Sequence, residues 1–158
     1  MKPDEKILIL IRHAHRDTTR IELDNGLSGE GVSQAKTLAN SLKGIFRLKN
    51  AVLLSSPKRR CIETLEPIRL LGNLKIETDP LLVEKQEIET FSHFKKRIEQ
   101  FIESWQSQQN ALTLICSHGD WLPEAVEILV GAKSEFKKGS WAELFISNNR
   151  PSIRFRNL

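Results

Sequence analysis

Strand-like and helix-like patterns alternate along this chain, and the alternation predicts an α/β fold. The expected architecture is a three-layer α/β/α sandwich around an open, mostly parallel sheet, closed by short C-terminal strands. Three observations carry that expectation. Ile7–Ile11 is a continuous apolar run of the kind that fills a strand buried on both faces. Between such runs, apolar residues recur at three- and four-residue spacing, as helices packed on a sheet require. Strand and helix then follow each other as far as Val130, the order that builds parallel sheet. A length of 158 residues, 39% of them apolar, suits one domain, taken as residues 1–158.

The elements follow in order. After the first strand comes a polar loop through Leu27. Val32, Ala35, Leu38, Ala39, Leu42, Ile45 and Phe46 then mark a helix, with Ser28 as its cap. Ala51–Ser56 is a second strand. Pro57 suits the first turn of the next helix, whose stripe is Cys61, Leu65 and Ile68. Leu74–Asp79 is a third strand. Phe91, Phe94, Ile98, Phe101, Ile102 and Trp105 mark the longest amphipathic helix, Ala111–His118 a fourth strand, and Gly119–Val130 a further helix. Trp141–Ser147 and Ser152–Asn157 flank an Asn-Asn-Arg-Pro turn as two short strands. No internal repeat, low-complexity tract or long linker interrupts this order.

Composition narrows the function. Lys and Arg number 24 against 20 Asp and Glu, a net charge of +4. Many cations fall in two short stretches, Arg12/Arg16/Arg20 and Lys58/Arg59/Arg60, which points to a local anion site more than to a broad basic face. Trp105, Trp121 and Trp141 read as packing residues, and no basic stripe carries interleaved aromatics, so nucleic-acid binding is disfavoured. No apolar run approaches the roughly 20 residues of a membrane helix. The first residues lead straight into a strand without a signal-peptide core, so a cytoplasmic protein is expected. Cys61 and Cys116 are too few for a disulfide scaffold and read as reduced core thiols.

In open parallel sheets ligands bind outside the carboxyl ends of the strands. The first strand ends at Arg12-His13, the second at Ser55-Ser56 with Lys58-Arg59-Arg60 beyond, and the fourth at Ser117-His118-Gly119-Asp120. If these strands are neighbours, the groups share one crevice. A neutral imidazole there is a competent nucleophile toward phosphorus. Guanidinium groups keep it neutral and bind the equatorial oxygens of a transferring phosphoryl group, whose geometry the arginine fork matches. His118 is a candidate donor to a phosphate oxygen.

Five segments carry a resemblance. "LIRHAHR" is similar to an Arg-His-Gly signature in which Ala often replaces Gly. "LSGEGVSQA" (residues 27–35) resembles Leu-Thr/Ser-x-x-Gly-x-x-Gln-Ala, and "SSPKRRCIET" (residues 55–64) resembles Ser-Ser-Pro-x-x-Arg-Ala-x-x-Thr. "DPLLVE" (residues 79–84) resembles a Leu-x-Glu element, and "ICSHGDWL" (residues 115–122) a Ser-His-Gly motif. Their order and character resemble the histidine phosphatase superfamily, the phosphoglycerate mutase-like group. The resemblance implies that His13 is the phosphorylated nucleophile, that Arg12, Arg60 and His118 complete the phosphate pocket, and that Glu84 is the general acid, which would need a raised pKa. Neither cofactor nor metal is implied, and the implied partner is a phosphorylated substrate, either a phosphoprotein or a small phosphoester.

Alternatives stay open at several positions. Asp120 is the rival proton donor, although Gly119 separates it from His118. Glu84, Glu87 and Glu89 also read as three solvated carboxylates. Arg16 stands where many members carry Thr or Ser; it either adds a guanidinium to the pocket or faces solvent. His15 and His93 read as solvated. The mutases of this group hold a long helical insertion after the third strand. Here only about a dozen residues separate Asp79 from the helix near Phe91, which favours a phosphatase like the small bacterial phosphohistidine phosphatases. A mutase-type phosphotransferase and a non-catalytic phosphate-binding module remain as alternatives. A metallohydrolase using His13, His15, His118 and Asp120 is disfavoured by the surrounding arginines.

Overall fold

The computed structural model describes residues 5–147 and 150–156. Its elements run β1 (Lys6–Arg12), α1 (Gly29–Ile45), β2 (Val52–Ser55), α2 (Arg59–Gly72), β3 (Ile76–Thr78), α3 (Phe91–Ser107), β4 (Leu112–Ser117), α4 (Trp121–Val130), β5 (Trp141–Ser147) and β6 (Arg150–Arg156). The strands form one open sheet in the order β3-β2-β4-β1-β5-β6. The pairs β3/β2, β2/β4 and β4/β1 are parallel, and β5 joins β1, and β6 joins β5, antiparallel. The expected open, mostly parallel sheet is therefore present. Asn148, Asn149 and Asn157 of the expected C-terminal turn and strand, like residues 1–4 at the start, lie outside the described residues.

The period of two in β1 assigns its side chains to two cores. Leu8 and Leu10 join Phe94, Ile98, Trp105 and Leu122 on the face covered by α3 and α4. Ile9 and Ile11 join Leu38, Leu42, Leu65 and Ile68 on the face covered by α1 and α2. β4, between β2 and β1, is buried at every position. Trp105, Trp121 and Trp141 are core residues, as expected, and both cysteines are buried free thiols. Among the described residues no helix is long and apolar enough to cross a membrane.

Several expectations need correction. The C-terminal strand β5 has the expected bounds, but β6 starts at Arg150, two residues earlier than expected, because it pairs along the whole of β5. Pro57 precedes the first turn of α2 instead of lying in it. The helix starts at Arg59, whose backbone N–H donates to both carboxylate oxygens of Asp24 (3.1 and 3.2 Å), so a distant loop supplies the cap. Helix α3 is not the single longest, since α1 also has 17 residues. Val32, Ile45 and Phe91 lie on the outer edges of their stripes and are exposed. The N-cap of α1 is Ser28, as expected, accepting from Gly31 N–H.

Candidate active site

Because β2, β4 and β1 are adjacent and parallel, their carboxyl ends open onto one edge of the sheet. Arg12 stands in register with Ser117, and Ser55 with Cys116. The ladder continues one residue past the strands: His13 N–H donates to Ser117 carbonyl (3.1 Å) and Ser56 N–H to Cys116 carbonyl (3.0 Å). His13 and Ser56 are thus fixed by backbone, and His118 directly follows the last residue of β4.

His13 is buried, and its Nδ1 lies 2.9 Å from the carbonyl oxygen of Ala14. A carbonyl only accepts, so Nδ1 carries the proton and Nε2 keeps its lone pair. Burial first, then the nearby His118, Arg60 and Arg12, push the pKa down to about 3, against the Ala14 hydrogen bond, which raises it. The imidazole is neutral at any physiological pH. The second imidazole, His118, lies with its ring centroid 5.4 Å from that of His13, at 62°.

His118 has partners on both ring nitrogens. Nδ1 is 3.2 Å from Arg60 Nη2, a group that only donates; Nε2 is 2.8 Å from Ser56 Oγ and 2.9 Å from Glu84 Oε2. The arrangement therefore puts the proton on Nε2. Burial pushes the His118 pKa down, but its contacts with Cys61 and Glu84 outweigh burial and the net shift is upward. A second proton would sit on Nδ1 in place of the Arg60 hydrogen bond, and the Glu84 carboxylate at Nε2 favours its uptake.

Arg60, buried on the first turn of α2, donates from Nη2 to Glu84 Oε1 at 2.9 Å, and its Nη1 is 3.9 Å from Asp24. Arg12 donates from Nη1 to the Phe136 carbonyl at 2.6 Å. Its guanidinium lies against Gly119, where a Cβ would come within 2.7 Å of Cζ, so only glycine leaves room. Burial lowers the Arg12 pKa and Asp120 works against that shift; the group stays a cation. The Nε atoms of Arg12 and Arg60 are buried without a hydrogen-bond partner among the described residues, so both forks retain donors.

Glu84 reaches the same point from the loop after β3. Arg97 of α3 ties this loop down, donating to the carbonyls of Leu81 (2.8 Å), Val83 (2.7 Å) and Glu84 (2.9 Å); Trp121 Nε1 and Ser117 Oγ donate to Leu81 and Leu82 carbonyls. The raised pKa expected for Glu84 is not found. Burial pushes it up, but the contacts with His118 and Arg60 outweigh burial and hold the carboxyl well below the usual carboxylate range. Without a ligand it is ionised and lies across the two groups expected to hold phosphate.

The reading of three solvated carboxylates is also corrected. Glu87 is exposed, but Glu89 is bonded to Arg97 at 2.7 and 2.9 Å, and Glu84 is half-buried in the pocket. His15 is not a solvated loop residue: its Nδ1 lies 2.8 Å from Ser28 Oγ, at the cap of α1. His93 is exposed on α3. Among the described residues, no three His, Cys, Asp or Glu side chains are placed to hold a metal ion.

Together these residues bound a pocket of about 530 Å3. Every residue proposed from sequence lines it: Arg12, His13, Arg60, Glu84 and His118, with Arg16 and Asp120 beside them. Asp120 Oδ2 accepts from Lys85 N–H at 2.9 Å. Sequence reasoning missed three contributors. Lys138 lines the pocket from the turn before β5, Asp24 caps α2 beside Arg60, and Arg97 holds the Glu84 loop. The glycine in "FKKGS" (residues 136–140), marking a tight turn, was the one available signal for Lys138.

A family model described as histidine phosphatase superfamily (branch 1) matches residues 8–87. No curated protein matches the chain by sequence. Solved structures share the fold. The alpha-ribazole phosphatase from Shigella flexneri is 19% identical, with 96% of each chain covered and a TM-score of 0.80. The protein histidine phosphatase SixA, complexed with tungstate, is 19% identical over 94% of each chain, with a TM-score of 0.76. A phosphoserine phosphatase from Entamoeba histolytica, in complex with 3-phosphoglyceric acid, is 17% identical, covers 97% of this chain and 98% of that one, and has a TM-score of 0.77.

Proposed function

This chain belongs to the histidine phosphatase superfamily, and we propose that it is a phosphatase working through a covalent phosphohistidine on His13, with a phosphate monoester or a phosphohistidine as substrate. The observation that carries this reading is the fixed tautomer of His13: a neutral imidazole with a free Nε2 lone pair, held beside Arg12, Arg60 and His118. The reading takes residues 1–158 as one catalytic domain. It places the protein in the cytoplasm, in keeping with two free thiols, with the phosphorylated substrate, and neither nucleic acid nor membrane, as its partner.

Arg12, Arg60 and His118 bind the nonbridging oxygens of the phosphoryl group. His13 Nε2 attacks phosphorus in line; the P–Nε2 bond forms as the bond to the leaving oxygen or nitrogen breaks. Glu84 gives its proton to the leaving atom. In the second step water attacks phosphorus, Glu84 takes the water proton, the P–N bond breaks, and phosphate leaves with His13 restored. Guanidiniums preset around the site stabilise the charge spread over the oxygens in both transition states.

The lowered pKa of Glu84 fits this role once substrate is present. A phosphate dianion takes over Arg60 and His118. The carboxylate then loses the contacts that hold its pKa down and gains a negative neighbour, and both changes favour uptake of a proton. Binding and loading of the acid are one event.

Hydrolysis is preferred over mutase chemistry because residues 79–90, between β3 and α3, hold a single 3₁₀ turn at Pro80–Leu82 and no helical cover. A mutase must shield its phosphorylated intermediate from water. The test is brief incubation with para-nitrophenyl phosphate followed by acid-labile phosphate analysis of the protein. Wild type should carry label and turn over, and His13→Ala should do neither. Phosphate binding without label would instead mark a non-catalytic phosphate-binding module.

A further inference from the structure

The tautomer of His13 depends on where the Ala14 carbonyl points, and β4 does not aim it. The sheet gives its last partner to the β1 chain at His13, whose N–H donates to the Ser117 carbonyl. Ala14, one residue further on, is wholly buried, so its backbone groups need partners that water cannot supply. Two side chains outside the pocket lining provide them. Thr64, wholly buried on α2, accepts from Ala14 N–H at 3.0 Å and donates from Oγ1 to the Arg60 carbonyl at 2.7 Å. Gln34, half-buried on α1, accepts through Oε1 from His15 N–H at 2.8 Å.

Each contact acts through a planar trans peptide, whose N–H and C=O point in opposite directions. In the peptide joining Ala14 to His15, Gln34 takes the N–H on one side, and the carbonyl faces His13 Nδ1 at 2.9 Å on the other. In the peptide joining His13 to Ala14, Thr64 takes the N–H, and the carbonyl accepts from Gly139 N–H at 3.1 Å. Holding both planes fixes φ and ψ of Ala14, and with them the direction of its carbonyl. The Gln34 contact also polarises its peptide, which strengthens the Ala14 carbonyl as an acceptor. Helix α1 comes this close because Gly31 has no side chain; a Cβ there would collide with the His15 carbonyl. The bond from Thr64 to Arg60 fixes the hydroxyl proton and so turns a lone pair toward Ala14.

We propose that Gln34 and Thr64 are positioning residues that set the tautomer of the nucleophile: by holding the Ala14 carbonyl against Nδ1, they keep the proton there and the lone pair on Nε2. The catalytic consequence rests on the phosphatase reading, whereas the tautomer can be read without turnover. With the clamp loosened, the proton exchanges between the two nitrogens, and a ring protonated on Nε2 cannot attack phosphorus. Neither residue lines the phosphate pocket, so the loss falls on the attack and not on phosphate binding.

The test reads the ring by NMR of protein carrying isotope-labelled histidine, at neutral pH, where the His13 ring is uncharged. The imidazole nitrogen shifts identify the protonated nitrogen, and signals lost in His13→Gln assign the residue. Wild type should show one neutral tautomer with its proton on Nδ1. Gln34→Leu and Thr64→Val, each removing one acceptor, should show both tautomers in exchange. Their kcat on para-nitrophenyl phosphate should fall about tenfold to a hundredfold, the range lost when a partner that orients a working imidazole is removed. The Kd for inorganic phosphate should stay within about threefold of wild type, as expected when only the transition state loses an interaction. Thr64→Ser, which keeps the hydroxyl, should hold kcat within about threefold of wild type. A variant that keeps the pure Nδ1–H tautomer strikes its residue from the role, and two such variants overturn the proposal. Equal losses in Thr64→Ser and Thr64→Val, or a fall in phosphate affinity matching the fall in kcat, overturn it as well, since each marks packing alone. If Thr64→Val does not fold, Gln34→Leu, at a half-buried position, decides. If the tautomer shifts as expected while wild type forms no phosphoenzyme, the clamp stands and the phosphatase reading falls. If wild type is phosphorylated and neither variant moves the tautomer, the phosphatase reading stands and the clamp falls.

Discussion

His13, Arg60 and His118, on the floor of the pocket, are 6%, 7% and 3% exposed, whereas Glu84 and Arg16 at its rim are half-buried and Lys138 is exposed. The two regions are also held differently. His13 and His118 sit at the ends of hydrogen-bonded parallel strands, and Arg60 on the first turn of the helix after β2, so their spacing is set by sheet register. The rim is held by side chains reaching across loops, Arg97 to the Glu84 segment above all. The difference teaches where each kind of chemistry belongs. On the proposed reading, phosphoryl transfer, which needs fixed charge, sits on the sheet, and proton delivery sits on a segment that a ligand can rearrange.

The contrast can be broken by mutation, beginning at the floor. Arg60→Ala should lower kcat/KM by about a hundredfold to a thousandfold for every substrate, since on the proposed reading the guanidinium binds the phosphoryl oxygens common to all. Arg60→Lys should recover only part of that loss, because the fork is gone. A rim change should depend on the leaving group. Glu84→Gln should slow an alkyl phosphate about a hundredfold but para-nitrophenyl phosphate less than tenfold, because nitrophenolate leaves without a proton. Equal losses on both esters would move the proton donor elsewhere, with Asp120 the first candidate.

How much of this was legible in sequence follows the same division. β1, β4 and the residues at their ends were readable, because a short apolar run followed by polar chemistry is a local pattern that the sheet converts directly into geometry. The boundaries of α2 were not, because its cap is Asp24, 35 residues upstream. The ionisation of Glu84 was misread for a related reason. Its acidity is decided by Arg60 and His118, which come from other strand ends, and no property of "DPLLVE" encodes them. Glu89 looked solvated until Arg97, eight residues on, was found to pair with it. Lys138 has no motif at all and reaches the pocket because its turn is bonded to the His13 carbonyl.

Arg97 sharpens the comparison with a smaller effect. Arg97→Leu should leave phosphate binding by the floor nearly intact while lowering kcat about tenfold on alkyl esters and little on para-nitrophenyl phosphate, whose leaving group needs no proton. A uniform loss in KM and kcat on all substrates would mean that the loop merely supports the fold.

The smallest effect is on stability. His13 binds a proton at about pH 3 in the folded chain but near its ordinary value of 6.5 when unfolded. Between those values the unfolded chain holds the extra proton, so stability is lost as the pH falls from about 6.5 toward 3, by up to a few kcal/mol. Glu84 adds to the loss below the ordinary carboxylate range, since its proton too goes first to the unfolded chain. Denaturant titrations of His13→Gln across that window should show a shallower decline than wild type. Parallel curves would mean that His13 is not buried neutral.

The central claim is that the lone pair of one particular atom, His13 Nε2, faces the phosphoryl site. Rapid acid-free quenching during turnover, followed by fragmentation of the labelled peptide and comparison with the two phosphohistidine isomers, reads that atom directly. The account predicts phosphorus on Nε2 of His13. Label on Nδ1 of His13, or on His118, would contradict it.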